Sequence, residues 1–259
     1  MEKRYDMRSI AFYNNKGGVG KTTSVINIAY RLAKDHSVLV IDLDGQANCS
    51  RFFTDETKPG LEKSLTTDAV SPMNARCETR YPNIDIVTAT PAINDVISEF
   101  CGLSSDLQQR IADNVITATD KPWYAKHYDY VLADMPPALN KITENILGAC
   151  DYVFVPIELG KFAIQGIPTV TNLIAESGAK FGGCFVNKFD RENPSDAQLM
   201  ELLKSSLGTK ALKSFIPFSR VIKNSVSYNM TAFEYMEWTY AAECFVNLTQ
   251  EIVSICVEV

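Results

Sequence analysis

The chain has 259 residues, 46% of them hydrophobic and 22% charged, which is enough apolar material for one large core and too much for a disordered segment. Its net charge of −6 excludes a molecule-wide attraction for nucleic acid, so any DNA contact must come from a local basic patch. The seven cysteines are widely spaced and odd in number, which excludes CxxC metal spacing and a compact disulfide framework; they are expected to be reduced core residues.

No Pro/Gly/Ser-rich linker, block of charge or internal repeat divides the chain, so a single domain over residues 1–259 is expected. The stretch Met1 to Arg8 is charged and lacks the apolar segment and cleavage site of a secretory signal. No apolar run approaches the roughly 20 residues that cross a bilayer. A cytoplasmic location is the expectation.

The first short apolar run, Ser9 to Tyr13, reads as a buried strand and leads into Asn15-Lys16-Gly17-Gly18-Val19-Gly20-Lys21-Thr22-Thr23. Helical period follows from Lys21 to Lys34. A glycine-rich turn can simply open a helix. Here, however, glycines 17, 18 and 20 let the backbone curl with its N–H groups inward, at the positive end of the next helix, and make a nest for phosphate oxygens. Lys21 is placed to reach the phosphates, and the Thr22 hydroxyl to meet a hard cation such as Mg²⁺.

Val38 to Asp42 is a second strand, and it brings Asp42 and Asp44 to its C-terminal end, where open α/β sheets bind ligands; two aspartates can also cap a strand-to-helix turn. Thr54 to Pro82 is polar and weakly patterned, with Lys58-Pro59-Gly60 and Ser71-Pro72 as breakers, and reads as loop with short helical turns. Ile84 to Thr88 is a strand, Asp95 to Cys101 and Leu107 to Ala118 are helices, and the strand Tyr130 to Asp134 ends in an acid followed by Met135-Pro136-Pro137. The paired prolines stiffen that loop, and a stiff loop can act as a lever. Beyond it come a helix from Asn140 to Ala149, a strand from Tyr152 to Ile157, a helix from Ile164 to Glu176 and a strand from Cys184 to Asn187. A helix from Ser195 to Ser206, a short apolar run from Ser214 to Phe218 and a helix from Tyr235 to Ser254 complete the chain. Buried strands alternating with helices make an α/β fold: a mostly parallel twisted sheet flanked by helices on both faces.

Asn15 stands where G-x-x-x-x-G-K-T has its first glycine, and an extra lysine, Lys16, follows it. This resembles the deviant Walker A motif of the ParA/MinD superfamily. With D-x-D over residues 42–44 and D-x-P-P over residues 134–137, the chain resembles the ParA family from Ser9 to about Val253, most strongly in these three motifs. The resemblance implies a single-domain P-loop ATPase that uses ATP and Mg²⁺. It makes Lys16, Lys21 and Asp44 catalytic, with Lys16 reaching across a nucleotide sandwich dimer and Asp44 orienting the attacking water. It gives the phosphates to Lys16, Gly17, Gly18, Val19, Gly20, Lys21, Thr22 and Thr23, and the Mg²⁺ to Thr22, with Asp42 and Asp134 acting through water. Gly45 departs from the family's D-x-D-P-Q-G-N, which leaves that loop's geometry open.

The same resemblance places Asn187 at the adenine edge and Pro217 with Phe218 around the base. Asn187-Lys188-Phe189-Asp190 also has the order of the guanine-reading N-K-x-D; nothing local excludes GTP, and the resemblance implies ATP. Ala163-Ile164-Gln165-Gly166 is similar to the family's Y-A-L-E-G near the dimer face, so an ATP-dependent homodimer is expected. Lys188, Arg191, Arg220 and Lys223 are the expected non-specific DNA contacts, salt-sensitive and strengthened by dimerisation. A ParB-like centromere-binding partner that stimulates slow hydrolysis, and nucleoid association when ATP is bound, are implied as well.

The function so implied is ATP-dependent partition of a plasmid or chromosome. Alternatives are a MinD-like or other positioning ATPase with a non-DNA cargo, a nucleotide switch with negligible turnover, and an iron–sulfur reductase. The segment Gln250 to Val259 has no Lys or Arg to attract anionic lipid, against MinD-like membrane attachment. The surroundings of Cys101 and Cys150 do not match a cluster-binding pair. No helix-turn-helix segment precedes the P-loop, so repression of an operator is not expected.

Overall fold

All five residues of β2 (Val38–Asp42) and all five of β5 (Tyr130–Asp134) are buried. A strand covered on both faces has no solvent side, which is why these segments read as unbroken apolar runs rather than alternating ones. The computed structural model describes residues 7–56, 61–117 and 127–257. Met1 to Asp6, the Lys58-Pro59-Gly60 breaker, Ala118 and the last two residues of the tail lie outside the described residues.

In chain order the elements are β1 (Arg8–Phe12), α1 (Lys21–Leu32), β2, α2 (Asn48–Phe53), α3 (Leu61–Ser64), β3 (Arg76–Glu78), β4 (Ile84–Val87), α4 (Ile97–Cys101) and α5 (Ser105–Thr117). Then follow β5, α6 (Lys141–Ala149), β6 (Tyr152–Glu158), α7 (Lys161–Ser177), β7 (Lys180–Phe189), α8 (Pro194–Leu207), β8 (Ala211–Pro217), α9 (Arg220–Ser227), α10 (Ala232–Tyr235) and α11 (Tyr240–Val257). The sheet order is β3-β4-β2-β5-β1-β6-β7-β8. Every pair is parallel except β3 with β4.

Successive residues of a strand face opposite sides of the sheet, and the core divides accordingly. Ile10, Phe12, Val38 and Val40 join Val25, Ile28, Phe245 and Ile252 on the α1 and α11 side. Ala11, Tyr13, Leu39 and Ile41 join Ile111, Ile146 and Ile174 on the side of α5, α6 and α7. Each such large side chain contributes about 1.5–3 kcal/mol by leaving water.

β8 lies at the rim of the sheet, where unpaired backbone groups could recruit a foreign strand. Glu251 of α11 covers part of that rim: its carboxylate accepts from Lys213 N and Ser214 N, each at 2.8 Å.

Most predicted elements are present with ends shifted by one to three residues, as fraying and capping allow. The segment read as loop from Thr54 to Pro82 holds more order than expected. Besides α3 and a 3-10 turn at Pro72–Ala75, capped by the Ser71 side chain, it contains the strand β3. Three residues are too few to show a period. The final helix starts at Tyr240 rather than Tyr235, because α10 is a separate turn closed by a Thr231/Glu234 capping box. The apolar run at Ser214 to Phe218 is the end of β8, and the short helices α2 and α9 were not anticipated.

Candidate functional site

β1, β2 and β5 lie side by side, so the loops that leave their C-terminal ends open at one place. After β1, Tyr13 N donates to Phe154 O at 3.1 Å, and the chain then turns through residues 14–20 into α1. Asn14 shapes the turn: its Nδ2 donates to Pro156 O and its Oδ1 accepts from Lys16 N, both at 2.9 Å. Gly18 and Gly20 have φ of 76° and 93°, the left-handed region that glycine enters without penalty. At Gly20 a side chain is excluded a second time, since a Cβ there would lie 1.9 Å from Asn187 Nδ2.

Lys21, the first residue of α1, is only 7% exposed. Its Nζ curls back to donate to Asn14 O at 3.0 Å and Lys16 O at 3.3 Å. Burial lowers its pKa, while Asp134 and Asp44 oppose that shift. No side chain caps the N-terminus of α1, so the turn and the helix start present N–H groups suited to an anion. Lys16 is exposed, and its ammonium makes no hydrogen bond or ion pair among the described residues.

Asp42 and Asp134 are register partners on adjacent strands, and both are buried. Burial raises the pKa of Asp134 well above the usual carboxylate range, and the neighbouring charge of Asp42 adds to this. Asp134 Oδ2 accepts from Thr22 Oγ1 at 2.7 Å, but Oδ1 is buried with no partner. A buried carboxylate oxygen left unpaired costs about 1–3 kcal/mol or more. A hydrated divalent cation beside Thr22 fits that oxygen, the charge and the hard-oxygen donor set.

Asp42 is different, although it was expected to share the metal. Its Oδ2 accepts from Ser50 Oγ at 2.7 Å and Ser50 N at 2.8 Å, and its Oδ1 accepts from Asp44 N at 3.1 Å. Ser50 Oγ in turn accepts from Ala89 N at 2.9 Å. Asp42 thereby fixes the loop carrying Asp44 and the start of α2. Burial pushes its pKa up to about 6 against the pull of those hydrogen bonds.

Asp44 is half-buried and faces the cleft; its Oδ1 accepts from Gln46 N at 2.9 Å. The loop geometry left open by Gly45 is now defined. A Cβ at Gly45 would lie 2.5 Å from Asn94 Nδ2, and Ala47 has φ 52°, the left-handed region. Ala47 occupies the glycine position of D-x-D-P-Q-G-N, so the left-handed turn persists here in a residue that pays about 1 kcal/mol for it.

A cleft of about 1000 Å³ runs from this phosphate end to the ends of β7 and β8. It is lined by Gly17, Gly18, Gly20, Lys21, Thr22, Thr23 and Asp44 at one end and by Asn187, Lys188, Pro217, Phe218 and Lys223 towards the other. Val19 is buried beneath the turn. Asn187 is occupied by protein groups: Nδ2 donates to Val19 O at 2.7 Å, and Oδ1 accepts from Lys188 N at 2.9 Å.

The four cations expected on DNA have different surroundings. Lys188 Nζ donates to Gly18 O at 2.8 Å and pairs with Glu158 at 2.9 Å, so it belongs to the cleft rather than to an outer patch. Lys223 lines the same cleft. Arg191 lies over the rings of Phe215 and Tyr240, 5.4 and 4.5 Å from their centroids, and donates to Tyr240 Oη. Arg220 opens α9. Sequence reasoning passed over Asn14, Ser50 and Glu158, three polar residues that each have a partner far away in the chain: Pro156, Ala89 and Lys188.

A family model described as AAA domain (AAA_31) matches residues 7–181, more than half of the chain. The chain belongs to that family. Its curated relatives include chromosome partitioning protein ParA of Caulobacter vibrioides, 28% identical over 96% of this chain and 94% of the relative. Sporulation initiation inhibitor protein Soj of Bacillus subtilis is 26% identical over 94% of this chain and 97% of the relative. Among solved structures, the fold is shared with Cyanothece McdA in its ATP complex, at TM-score 0.79 and 18% identity over 96% of each chain. MinD of Pyrococcus horikoshii with Mg-ADP shares it at TM-score 0.77 and 20% identity over 98% of this chain and 100% of that one. This AAA-domain protein is thus a P-loop ATPase of the ParA/MinD superfamily. Among its described residues no helix is long and apolar enough to cross a membrane.

Proposed function

We propose that the chain is a partition ATPase: it binds ATP with Mg²⁺, forms a nucleotide-dependent homodimer, binds DNA without sequence preference, and hydrolyses ATP slowly until a ParB-like partner stimulates it. One observation carries the chemical part of this reading. The glycine turn, the buried ammonium of Lys21 and the unpaired Asp134 oxygen beside Thr22 meet at one end of a single cleft.

In this reading the N–H groups of residues 17–22 and Lys21 Nζ hold the β- and γ-phosphates, and the Lys21 contacts to Asn14 O and Lys16 O are exchanged for phosphate oxygens. Thr22 Oγ1 and, through water, Asp134 Oδ1 would hold Mg²⁺, which when bound would supply positive charge to the phosphate oxygens. The cleft-facing Asp44 carboxylate orients the attacking water. The exposed, unpaired ammonium of Lys16 suits a role in trans, since it lacks a partner among the described residues of its own subunit. The name of the Caulobacter relative, chromosome partitioning protein ParA, supports a chromosome as the cargo.

Calorimetry with ATP and Mg²⁺, followed by light scattering of wild type and Asp44→Ala, tests the scheme. The expected result is 1:1 binding and a dimer with ATP that persists longer in the variant. Absence of nucleotide uptake overturns the reading. Low-salt gel shifts on unrelated duplexes check the DNA step; binding that ATP does not increase removes it.

A further inference from the structure

The end of β7 reads Asn187-Lys188-Phe189-Asp190, and two of these side chains are tied to the phosphate turn. Asn187 Nδ2 donates to Val19 O at 2.7 Å and Lys188 Nζ to Gly18 O at 2.8 Å, adjacent carbonyls bound by adjacent residues. Lys188 accepts a φ of 57° to make its contact, a conformation that persists in a lysine only where its surroundings enforce it. Phe218 N donates to Phe189 O at 2.9 Å and fixes the end of β8 to the same segment. The position of Asp190 is therefore set relative to the phosphate site by two hydrogen bonds on one side and one on the other.

Asp190 lines the cleft. Its Oδ1 accepts from Glu192 N at 3.0 Å, which leaves Oδ2 without a hydrogen bond among the described residues. Both oxygens of the neighbouring Asp196 already accept from protein groups: Oδ2 from Asp190 N at 3.0 Å and Oδ1 from Asn193 Nδ2 at 2.8 Å. Pro217 and Phe218 provide apolar surface for a flat ring, and the Phe218 side chain is 68% exposed. What Asp190 offers the edge of a base is thus a carboxylate oxygen with no hydrogen bond among the described residues, an obligate acceptor.

Guanine presents two adjacent donors, N1–H and its exocyclic amine, whereas adenine presents one donor beside the N1 lone pair. We propose that the base end of the cleft takes guanine as well as adenine nucleotides, with Asp190 accepting from the guanine donors. The proposal rests on the nucleotide-binding reading above and concerns only the choice of base. Adenine is tolerated because Asp190 is exposed, so an adenine N1 opposite it keeps a water instead of being left unpaired.

The test is calorimetric titration of the full chain with GDP and with ADP, each with Mg²⁺, for wild type, Asp190→Asn and Asp196→Asn. Asparagine at 190 keeps the acceptor for Glu192 N and replaces the free oxygen with a donor. The expected result is GDP affinity within about tenfold of ADP, a loss of about tenfold for GDP in Asp190→Asn with ADP changed less than about twofold, and no such split in Asp196→Asn. ADP binding without GDP binding overturns the proposal and leaves the ATPase reading intact. Equal weakening of both nucleotides in Asp190→Asn also overturns it, because the residue would then only shape the loop. If neither nucleotide binds wild type, both readings fall.

Discussion

The two ends of the cleft are built on different principles. At the phosphate end, recognition falls to backbone N–H groups and to side chains buried beneath them: Asn14, Lys21 and Asp134. At the base end the proposed recognition falls to the exposed side chains of Asp190 and Phe218, just beyond the ends of β7 and β8. Backbone geometry tolerates almost no substitution, whereas an exposed side chain can change at modest cost. On the proposed reading the first end holds the phosphate chain, and the second leaves the attached base open to variation.

The sharpest way to break this contrast is Gly20→Ala, which touches both ends at once. The new Cβ would collide with Asn187 and sit at a φ of 93°. A loss of about 2–4 kcal/mol in stability and at least ~100-fold in nucleotide affinity is expected, read by denaturant unfolding and calorimetry. If unfolding and binding are both unchanged, the close approach of β7 to the phosphate turn is wrong.

Asp42 and Asp134 provide a pH-dependent test within the phosphate end. Folding raises the Asp42 pKa from 3.8 to about 6, so between those values the folded state binds more protons than the unfolded state. By linkage, that site's contribution to stability falls as pH rises through the window. Asp42→Asn should accordingly gain stability relative to wild type on going from pH 4 to pH 7, by on the order of 1–3 kcal/mol, measured by urea midpoints without nucleotide. A constant difference between the two proteins across that range would show that Asp42 is not charged against its surroundings.

Lys188→Met probes the tie between the ends. Its ion pair with Glu158 is partly exposed and worth little alone, but the bond to Gly18 O orients the turn. Nucleotide affinity is expected to fall about five- to tenfold, with Lys188→Arg recovering part of it. A variant that loses DNA binding alone would return Lys188 to the outer surface. The smallest effect belongs to Ala47→Gly, which relieves the left-handed strain at φ 52° and should raise stability by about 0.5–1 kcal/mol; a decrease would mean that the alanine methyl contributes more through packing than the backbone loses.

The phosphate end was the more legible of the two because its chemistry needs glycines, a lysine and a hydroxyl in unbroken order, and short-range order is what a sequence displays. The apolar runs of β1, β2 and β5 were legible for a related reason, since burial on both faces leaves no polar interruption. Asn14, Ser50 and Glu158 gave no such signal: their partners are Pro156, Asp42 with Ala89, and Lys188. The protein partners of Lys188 and Asp42 were hidden for the same reason. A lysine at a strand end and an acid after an apolar run say nothing about which neighbour reaches them first. β3 escaped because pairing with β4, rather than any pattern of its own, makes it a strand.

The sheet order has a consequence for synthesis. β5 lies between β1 and β2, so Asp134 reaches Thr22 only after more than a hundred further residues have been made. A nascent chain that has released only its first two strands has the glycine turn but not the central strand that supports the acid beneath it. Because such distant pairings form slowly, the ribosome-bound fragment should be blind to nucleotide, and competence should arrive abruptly once the middle of the sheet closes.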